Sequence, residues 1–341
     1  MSCRADEGRA GSAGTVGRSS GSAAPTPAAS AACPSKATEP AATAPAALAP
    51  GRSLCVSAVQ RYSLHDGGGI RSVAFAKGCP FSCPWCCNPE NLSFEPEVSW
   101  QGKLCIGCSV RADGSRDRNG APCDTSPECC PTGAKKLVGE MRTVSSLAAQ
   151  MLRDKVFFEE SGGGVTVSGG ECLAGRARQE AVVELFETCR AAGVHTAIET
   201  TLATPLEVDA ERLVAACDAF LVDFKIADRA RSIEVTGIDP QRRDENLRAI
   251  LTHGATVVAR MPIIPGYTDG LDNVRANAVR AVALGISRVD ILPFHQLGEG
   301  KYDSVGRTYT MEGVPQLHEQ DVADAVTLCE SLDLKVMVRG E

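Results

Sequence analysis

Three cysteines in the run Cys79-Pro-Phe-Ser-Cys83-Pro-Trp-Cys86 stand at C-x3-C-x2-C spacing, just after the apolar stretch from Ser72 to Ala76. Thiolates this close in one loop can surround a single metal centre, and three of them leave no obvious fourth ligand. A cubane 4Fe-4S cluster held there would keep one iron open for chemistry. Two other readings share the spacing. A zinc site needs a fourth ligand, and Cys87 is poorly suited because adjacent residues rarely reach one ion in tetrahedral geometry. A disulfide framework is compatible with cysteine count, but no secretory signal is recognisable, and such short spacings suit metal binding in a reducing compartment.

Other stretches carry polar groups at the ends of apolar runs. Residues Ser161 to Glu171 read S-G-G-G-V-T-V-S-G-G-E, a β-branched strand running into paired glycines that let a backbone approach a ligand closely. Taken alone, such glycines are more often a flexible turn. Ala219 to Lys225 reads as a strand ending in Asp223-Phe224-Lys225, and strand alternation sends both charges to one face. An isolated D-x-K is usually a solvated pair, and a lone histidine such as His295, at the end of the strand Val289 to Leu292, is more often structural.

The cysteine triplet is embedded in His65-Asp66-Gly67-Gly68-Gly69-Ile70-Arg71, then Lys77-Gly78, and is followed by Cys87-Asn88-Pro89-Glu90. This ensemble resembles the radical SAM superfamily, and within it the activating enzymes of glycyl radical enzymes, whose signature reads close to D-G-P-G-I-R and G-C-x3-C-x-W-C-x-N-P-E. Gly68 stands where that family has proline, and Cys172 departs from the proline that follows G-G-E. Thr236-Gly237 with Asn246-Leu247, Arg260-Met261-Pro262-Ile263-Ile264-Pro265-Gly266-Tyr267, and Leu292-Pro293-Phe294-His295-Gln296-Leu297-Gly298 with Lys301-Tyr302 resemble its later landmarks.

The resemblance implies a 4Fe-4S cluster on Cys79, Cys83 and Cys86 and S-adenosylmethionine chelating its open iron. It implies contacts to the methionyl amino group from Ser168, Gly169, Gly170 and Glu171. Asp223 and Lys225 would touch the nucleoside or carboxylate region, Arg260 and Ile264 would wall the nucleoside pocket, and His295 would contact ribose or substrate. Glu199, Thr200 and Asp223 resemble positions that hold a monovalent cation beside the carboxylate, although Thr201 and Leu202 replace the usual N-G. Asp66 would hold the backbone of a partner's loop. The implied activity is reductive cleavage of S-adenosylmethionine to a 5′-deoxyadenosyl radical, which takes hydrogen from a backbone glycine of a partner glycyl radical enzyme. The electron would come from a flavodoxin or ferredoxin, and the enzyme is expected to be a monomer.

The elements that must position these groups alternate. Apolar strands near Ser72 to Ala76, Gly164 to Ser168, His195 to Glu199, Ala219 to Phe224, Thr256 to Met261 and Arg288 to Leu292 are separated by stretches of helical periodicity. These run over Val144 to Val156, Gln179 to Ala192, Ala210 to Cys217, Asp244 to His253, Asn273 to Leu284 and Glu319 to Leu332. The fold class expected is α/β, a partial (β/α)6 barrel, with Leu334 to Val338 as a terminal strand. The motifs are expected at the strands' C-terminal ends, where parallel α/β folds collect active-site loops.

With 341 residues, 43% of them hydrophobic, the chain can bury a large core and still carry additions. Residues 1–50, rich in Ala, Ser, Pro and Gly, are expected as a disordered tail, and residues 51–99 and 142–341 as the barrel. Residues 100–141 are expected as a ferredoxin-like insert, where Cys105, Cys108, Cys123 and Cys130 could hold one auxiliary 4Fe-4S cluster or a zinc ion. Cys130 is preferred to Cys129 because it precedes proline.

A net charge of −7, without a basic stripe or a long apolar span, argues against nucleic acid and membrane partners. A cytoplasmic enzyme is expected. The rival readings are a radical SAM enzyme acting on another peptide or small molecule, and a non-catalytic iron-sulfur or zinc binding module.

Overall fold

A computed structural model describes residues 51–108 and 125–338. Its strands are β1 (Ser53–Ser63), β2 (Arg71–Ala76), β3 (Glu97–Trp100), β4 (Lys135–Val138), β5 (Glu140–Thr143), β6 (Gly164–Gly169), β7 (His195–Thr200), β8 (Ala219–Asp223), β9 (Val257–Ile263), β10 (Arg288–Pro293) and β11 (Lys335–Val338). Nine of them form one sheet in the order β11-β10-β9-β8-β7-β6-β2-β1-β5, while β3 and β4 pair separately. From β2 through β6 to β11 every neighbouring pair is parallel. This run is the partial (β/α)6 barrel with its terminal strand. Strands of a parallel sheet covered on both faces are apolar throughout, and β6 is accordingly buried from Gly164 to Ser168.

Two antiparallel strands extend the sheet beyond the expected set: β1 pairs with β2 and, on its other side, with β5. Their sequences carry mixed polar and apolar residues because the outer part of β1 is exposed, so they lack the continuous hydrophobic run that marks the inner strands. The stretch 100–141 thus begins at the last residue of β3 and ends inside β5.

Helix bounds differ from the periodicity where local chemistry intervenes. The helix expected from Val144 breaks into Val144–Met151 and Lys155–Ser161 around a 3-10 turn at Leu152–Asp154, where buried Asp154 accepts hydrogen bonds from Ser72 at 2.7 Å and from Arg61. The helix expected from Asp244 begins at Pro240, because Asp239 caps it by accepting from the Gln241 N–H and proline suits the first helical position.

The main core lies between the sheet and its helices and includes Val165, Val167, Phe186, Ile198, Phe220 and Ile291. A second cluster, with Trp85, Ile226, Ile264, Phe294, Tyr302, Tyr309 and Met311, underlies the cysteine loop. Trp85 is 8% exposed and its ring lies 5.0 Å from that of Tyr267, so the tryptophan inside the C-x2-C spacing is the loop's apolar anchor.

Candidate active site

A cavity of about 480 Å³ lies within the curve of the sheet. Its wall includes Cys79, Cys83, Cys86, Ser168, Gly169, Gly170, Glu199, Thr200, Asp223, Lys225, Arg260, Ile264, His295 and Asp66. These come from the ends of β6 to β10, the loop after β2, and the turn between β1 and β2.

That turn corrects one expectation. The Asp66 to Arg71 run precedes β2, so it lies at the end of the sheet opposite the other motifs, yet Gln60, Ser63, His65 and Asp66 still line the cavity. Gly67, Gly68 and Gly69 all have positive φ, and Gly68 at +87° takes a conformation closed to proline. Arg71, fully buried, donates to Thr166 Oγ1 at 2.6 Å and to the Val165 carbonyl. Thr166 in turn donates to the Asp66 carbonyl at 2.7 Å, and Ser63 donates to the Asp66 carboxylate. The arginine of this run is therefore the buried prop of the Asp66 turn.

The cysteine loop is held from several sides. Ser82 N–H donates to the Thr236 carbonyl at 3.0 Å, which ties the T-G landmark to the cysteine loop. Lys301 bridges Asn88 Oδ1 at 2.9 Å and Glu90 Oε1 at 3.0 Å, while the Tyr302 hydroxyl donates to the Cys86 carbonyl at 2.9 Å. The Lys-Tyr pair near the C-terminus is thus a clasp on C-C-N-P-E. Asn246 donates to the Leu202 and Thr204 carbonyls and shapes the chain beyond β7 in the same way.

Burial pushes the Cys79 thiol up to about 11, against a backbone N–H from Phe81, and raises Cys83 and Cys86 as well. Amide donors and a cation at the sulfurs suit thiolates that share negative charge with a cluster: Asn88 supplies a backbone N–H to Cys86, and Lys225 Nζ stands 3.8 Å from Cys83 Sγ. Among the described residues no three ligating side chains converge about one ion. Cys79, Cys83 and Cys86 instead each line the cavity. Cys87 also lines the cavity.

The remaining wall is charged and partly unpaired. Lys225, two residues beyond the end of β8, lies 3.0 Å from Asp223. Burial alone would lower Lys225, but Asp223 and the Cys83 thiolate outweigh it and hold the amine well above its usual range. Burial raises Glu199, with Asp66 adding to the effect, while Arg260 and Ser168 hydrogen-bond to it and oppose the rise. Arg260 Nε is buried with no hydrogen-bond partner among the described residues, and Arg260 is one of the residues that line the cavity. Burial and nearby Lys301 lower His295, favouring the neutral imidazole.

Glu171 is the exception among the expected contacts. Its carboxylate is 1% exposed and accepts from the Leu173 N–H at 3.0 Å, the Thr201 N–H at 2.9 Å and the Thr200 and Thr201 hydroxyls. It does not line the cavity, and its side chain instead ties the end of β6 to the end of β7. Thr201, set apart in the sequence as a replacement for asparagine, is part of this bond set. In the insert, Cys105 and Cys130 are half-buried and Cys108 is exposed, and Cys130 Sγ accepts from the Lys135 N–H at 3.3 Å. Cys123 lies outside the described residues.

Residues 65–242 match the family model described as a 4Fe-4S single cluster domain. Pyruvate formate-lyase 2-activating enzyme of Escherichia coli (strain K12) is 37% identical over 282 residues, covering 83% of this chain and 91% of that protein. The chain belongs to the radical SAM activating enzymes of glycyl radical enzymes. Choline trimethylamine-lyase activating enzyme of Oleidesulfovibrio alaskensis is 33% identical, over 84% of this chain and 98% of its own. Among solved structures, a domain of a pyruvate-formate lyase-activating enzyme from Bacteroides vulgatus covers 52% of this chain at 20% identity, with a TM-score of 0.43. As an activating enzyme the chain uses an iron-sulfur cluster and S-adenosylmethionine, and the residues that line the cavity fit both: three thiols, and beside them a Lys-Asp pair and the Arg260 guanidinium.

Proposed function

We propose that Cys79, Cys83 and Cys86 hold the 4Fe-4S cluster and that S-adenosylmethionine lies along Ser168, Gly169 and Gly170 toward Asp223, Lys225, Arg260, Ile264 and His295. A backbone glycine of a partner glycyl radical enzyme then enters beside Asp66. The observation that carries this reading is that one cavity is lined by all these residues, drawn from segments up to 229 positions apart, from Asp66 to His295. When bound, the reduced cluster and S-adenosylmethionine would supply a 5′-deoxyadenosyl radical able to take hydrogen from that glycine.

The chain's own residues bind, orient and exclude water. Lys225 sits between the Asp223 carboxylate and the Cys83 sulfur, so it can orient a ligand carboxylate while offsetting charge at the thiolates. Arg260 keeps Glu199 engaged through Nη1, while its buried Nε has no hydrogen-bond partner among the described residues. Glu199, Thr200 and Asp223 offer oxygens for a monovalent cation; the Thr200 hydroxyl donates to Glu171 and accepts from the Leu202 N–H at 2.9 Å, which leaves one lone pair for the ion. Asp66, anchored through Arg71 and Thr166, meets an incoming peptide N–H.

In the insert we propose one auxiliary 4Fe-4S site on Cys105, Cys108, Cys123 and Cys130, with electrons delivered by a flavodoxin or ferredoxin. We propose that a single chain is the working unit, since every residue assigned above to the cluster and S-adenosylmethionine belongs to it. The reducing cytoplasm suits these thiols, and no helix among the described residues is long and apolar enough to cross a membrane.

The test is anaerobic reconstitution with iron and sulfide, chemical reduction, and measurement of 5′-deoxyadenosine from S-adenosylmethionine, with Cys83→Ala as control. A glycyl radical signal on a candidate partner after mixing is the second readout. No product above the control would overturn the cavity assignment.

A further inference from the structure

Beyond the last pair of the β2–β6 ladder, Ala76 with Gly169, the two chains part: one becomes the cysteine loop, the other the glycine pair. Two main-chain bonds persist past the ladder, Gly170 N–H to the Ala76 carbonyl at 2.8 Å and Glu171 N–H to the Gly78 carbonyl at 3.2 Å. Across this junction lies one side chain that the site as described does not use. Arg178, in the first turn of the helix Arg176–Ala191, donates from Nη1 to the Gly78 carbonyl at 2.7 Å and to the Glu171 carbonyl at 2.8 Å, and from Nη2 to the Lys77 carbonyl. Helical side chains lean toward the N-terminus of their helix, so a long one in the first turn reaches back over the strand end that precedes it. The guanidinium lies 5.2 Å from the centre of the Phe94 ring, and the same ring fills the space that a Cβ on Gly78 would need, at 2.5 Å.

The three carbonyls fall on both sides of the junction. Lys77 and Gly78 immediately precede Cys79, and Glu171 immediately follows Gly170. A planar fork bound to all three fixes the first cysteine of the loop against the glycine pair more stiffly than the two main-chain bonds do alone. We propose that Arg178 is a positioning residue that sets the separation between the cluster thiolates and the bound S-adenosylmethionine. This rests on the reading that Cys79 and Gly169–Gly170 flank those two groups.

The test compares the reconstituted holoenzyme with its Arg178→Met and Arg178→Lys variants. Hydrogen exchange is measured across the sheet, and S-adenosylmethionine is titrated against the paramagnetic resonance spectrum of the reduced cluster. In the Met variant iron content should stay at the wild-type level, since the three thiols share one loop. S-adenosylmethionine should bind about tenfold more weakly or worse, as expected for losing charge-assisted bonds. Exchange should rise in the peptides around 77–79 and 170–172 and not in β8 or β9. Lysine keeps the charge and three donors, and should bring affinity back to within about threefold. Binding by the Met variant within about twofold of wild type, or exchange rising evenly over the sheet, would overturn the proposal. If the Met variant aggregates, exchange in the Lys variant decides by the same local-against-uniform criterion. A wild-type spectrum that ignores S-adenosylmethionine would instead bring down the cavity assignment itself.

Discussion

Replacing Glu171 by glutamine separates two roles that the G-G-E motif leaves confounded. One carboxylate oxygen accepts from the Leu173 N–H and the Thr200 hydroxyl, the other from the Thr201 N–H and the Thr201 hydroxyl. The hydroxyls can rotate to accept from an amide, but the two backbone N–H groups cannot. Whichever way the glutamine amide turns, its NH2 faces one buried backbone donor, and that donor loses its acceptor. One unsatisfied buried group costs about 1–3 kcal/mol, with the loss of ionic character in the remaining bonds tending toward the upper end. For a chain of this size that lowers the melting temperature by roughly 2–10 °C. The assay is thermal unfolding of the iron-free protein at neutral pH, beside wild type. A carboxylate whose task is to hold the methionyl amino group would behave in the opposite way: Glu171→Gln would leave the iron-free protein as stable as wild type and weaken only S-adenosylmethionine binding. A melting temperature within about 1 °C of wild type, below the smallest shift this cost implies, would refute the structural assignment of this side chain.

Three further outcomes follow from the same geometry. A Cβ on Gly170 would come within 2.3 Å of the Gly78 carbonyl oxygen, so Gly170→Ala must shift the chain entering Cys79. It should reduce iron retention or S-adenosylmethionine binding, and unchanged values for both would contradict the close approach. Asp154 is held below its usual value by hydrogen bonds from Arg61, with Ser72 contributing, so its stabilising effect is present above pH 3.8 and is lost as pH falls through the lower folded value. The stability gap between wild type and Asp154→Asn should therefore be constant from neutral pH down to about 4 and narrow below it, as followed by unfolding at a series of pH values. Lys301→Met removes the clasp on Asn88 and Glu90, and should speed loss of iron to a chelator while leaving the fold intact by circular dichroism. Equal chelation rates would show that the clasp does not guard the loop.

The chemistry of this protein is written locally. Three thiols within eight residues, a tryptophan between two of them, and glycines at the end of a β-branched strand are short-range patterns, and each marks a backbone or ligand requirement of its own segment. The inner parallel strands were legible for a related reason, because burial on both faces leaves a continuous apolar run. β1 and β5 were not, since strands at the margin of the sheet expose one side and dilute that signal. Tertiary structure alone decided where long-range partners go. It turned Glu171 away from the cavity onto Thr200 and Thr201, sent Lys301 more than two hundred residues back to Asn88, and brought the Asp66 turn to the cavity from the opposite end of the sheet. A polar side chain in a sequence declares what it can bond to. Which partner it meets is set by how the strands curve and how closely their ends approach, and no local spacing encodes that distance.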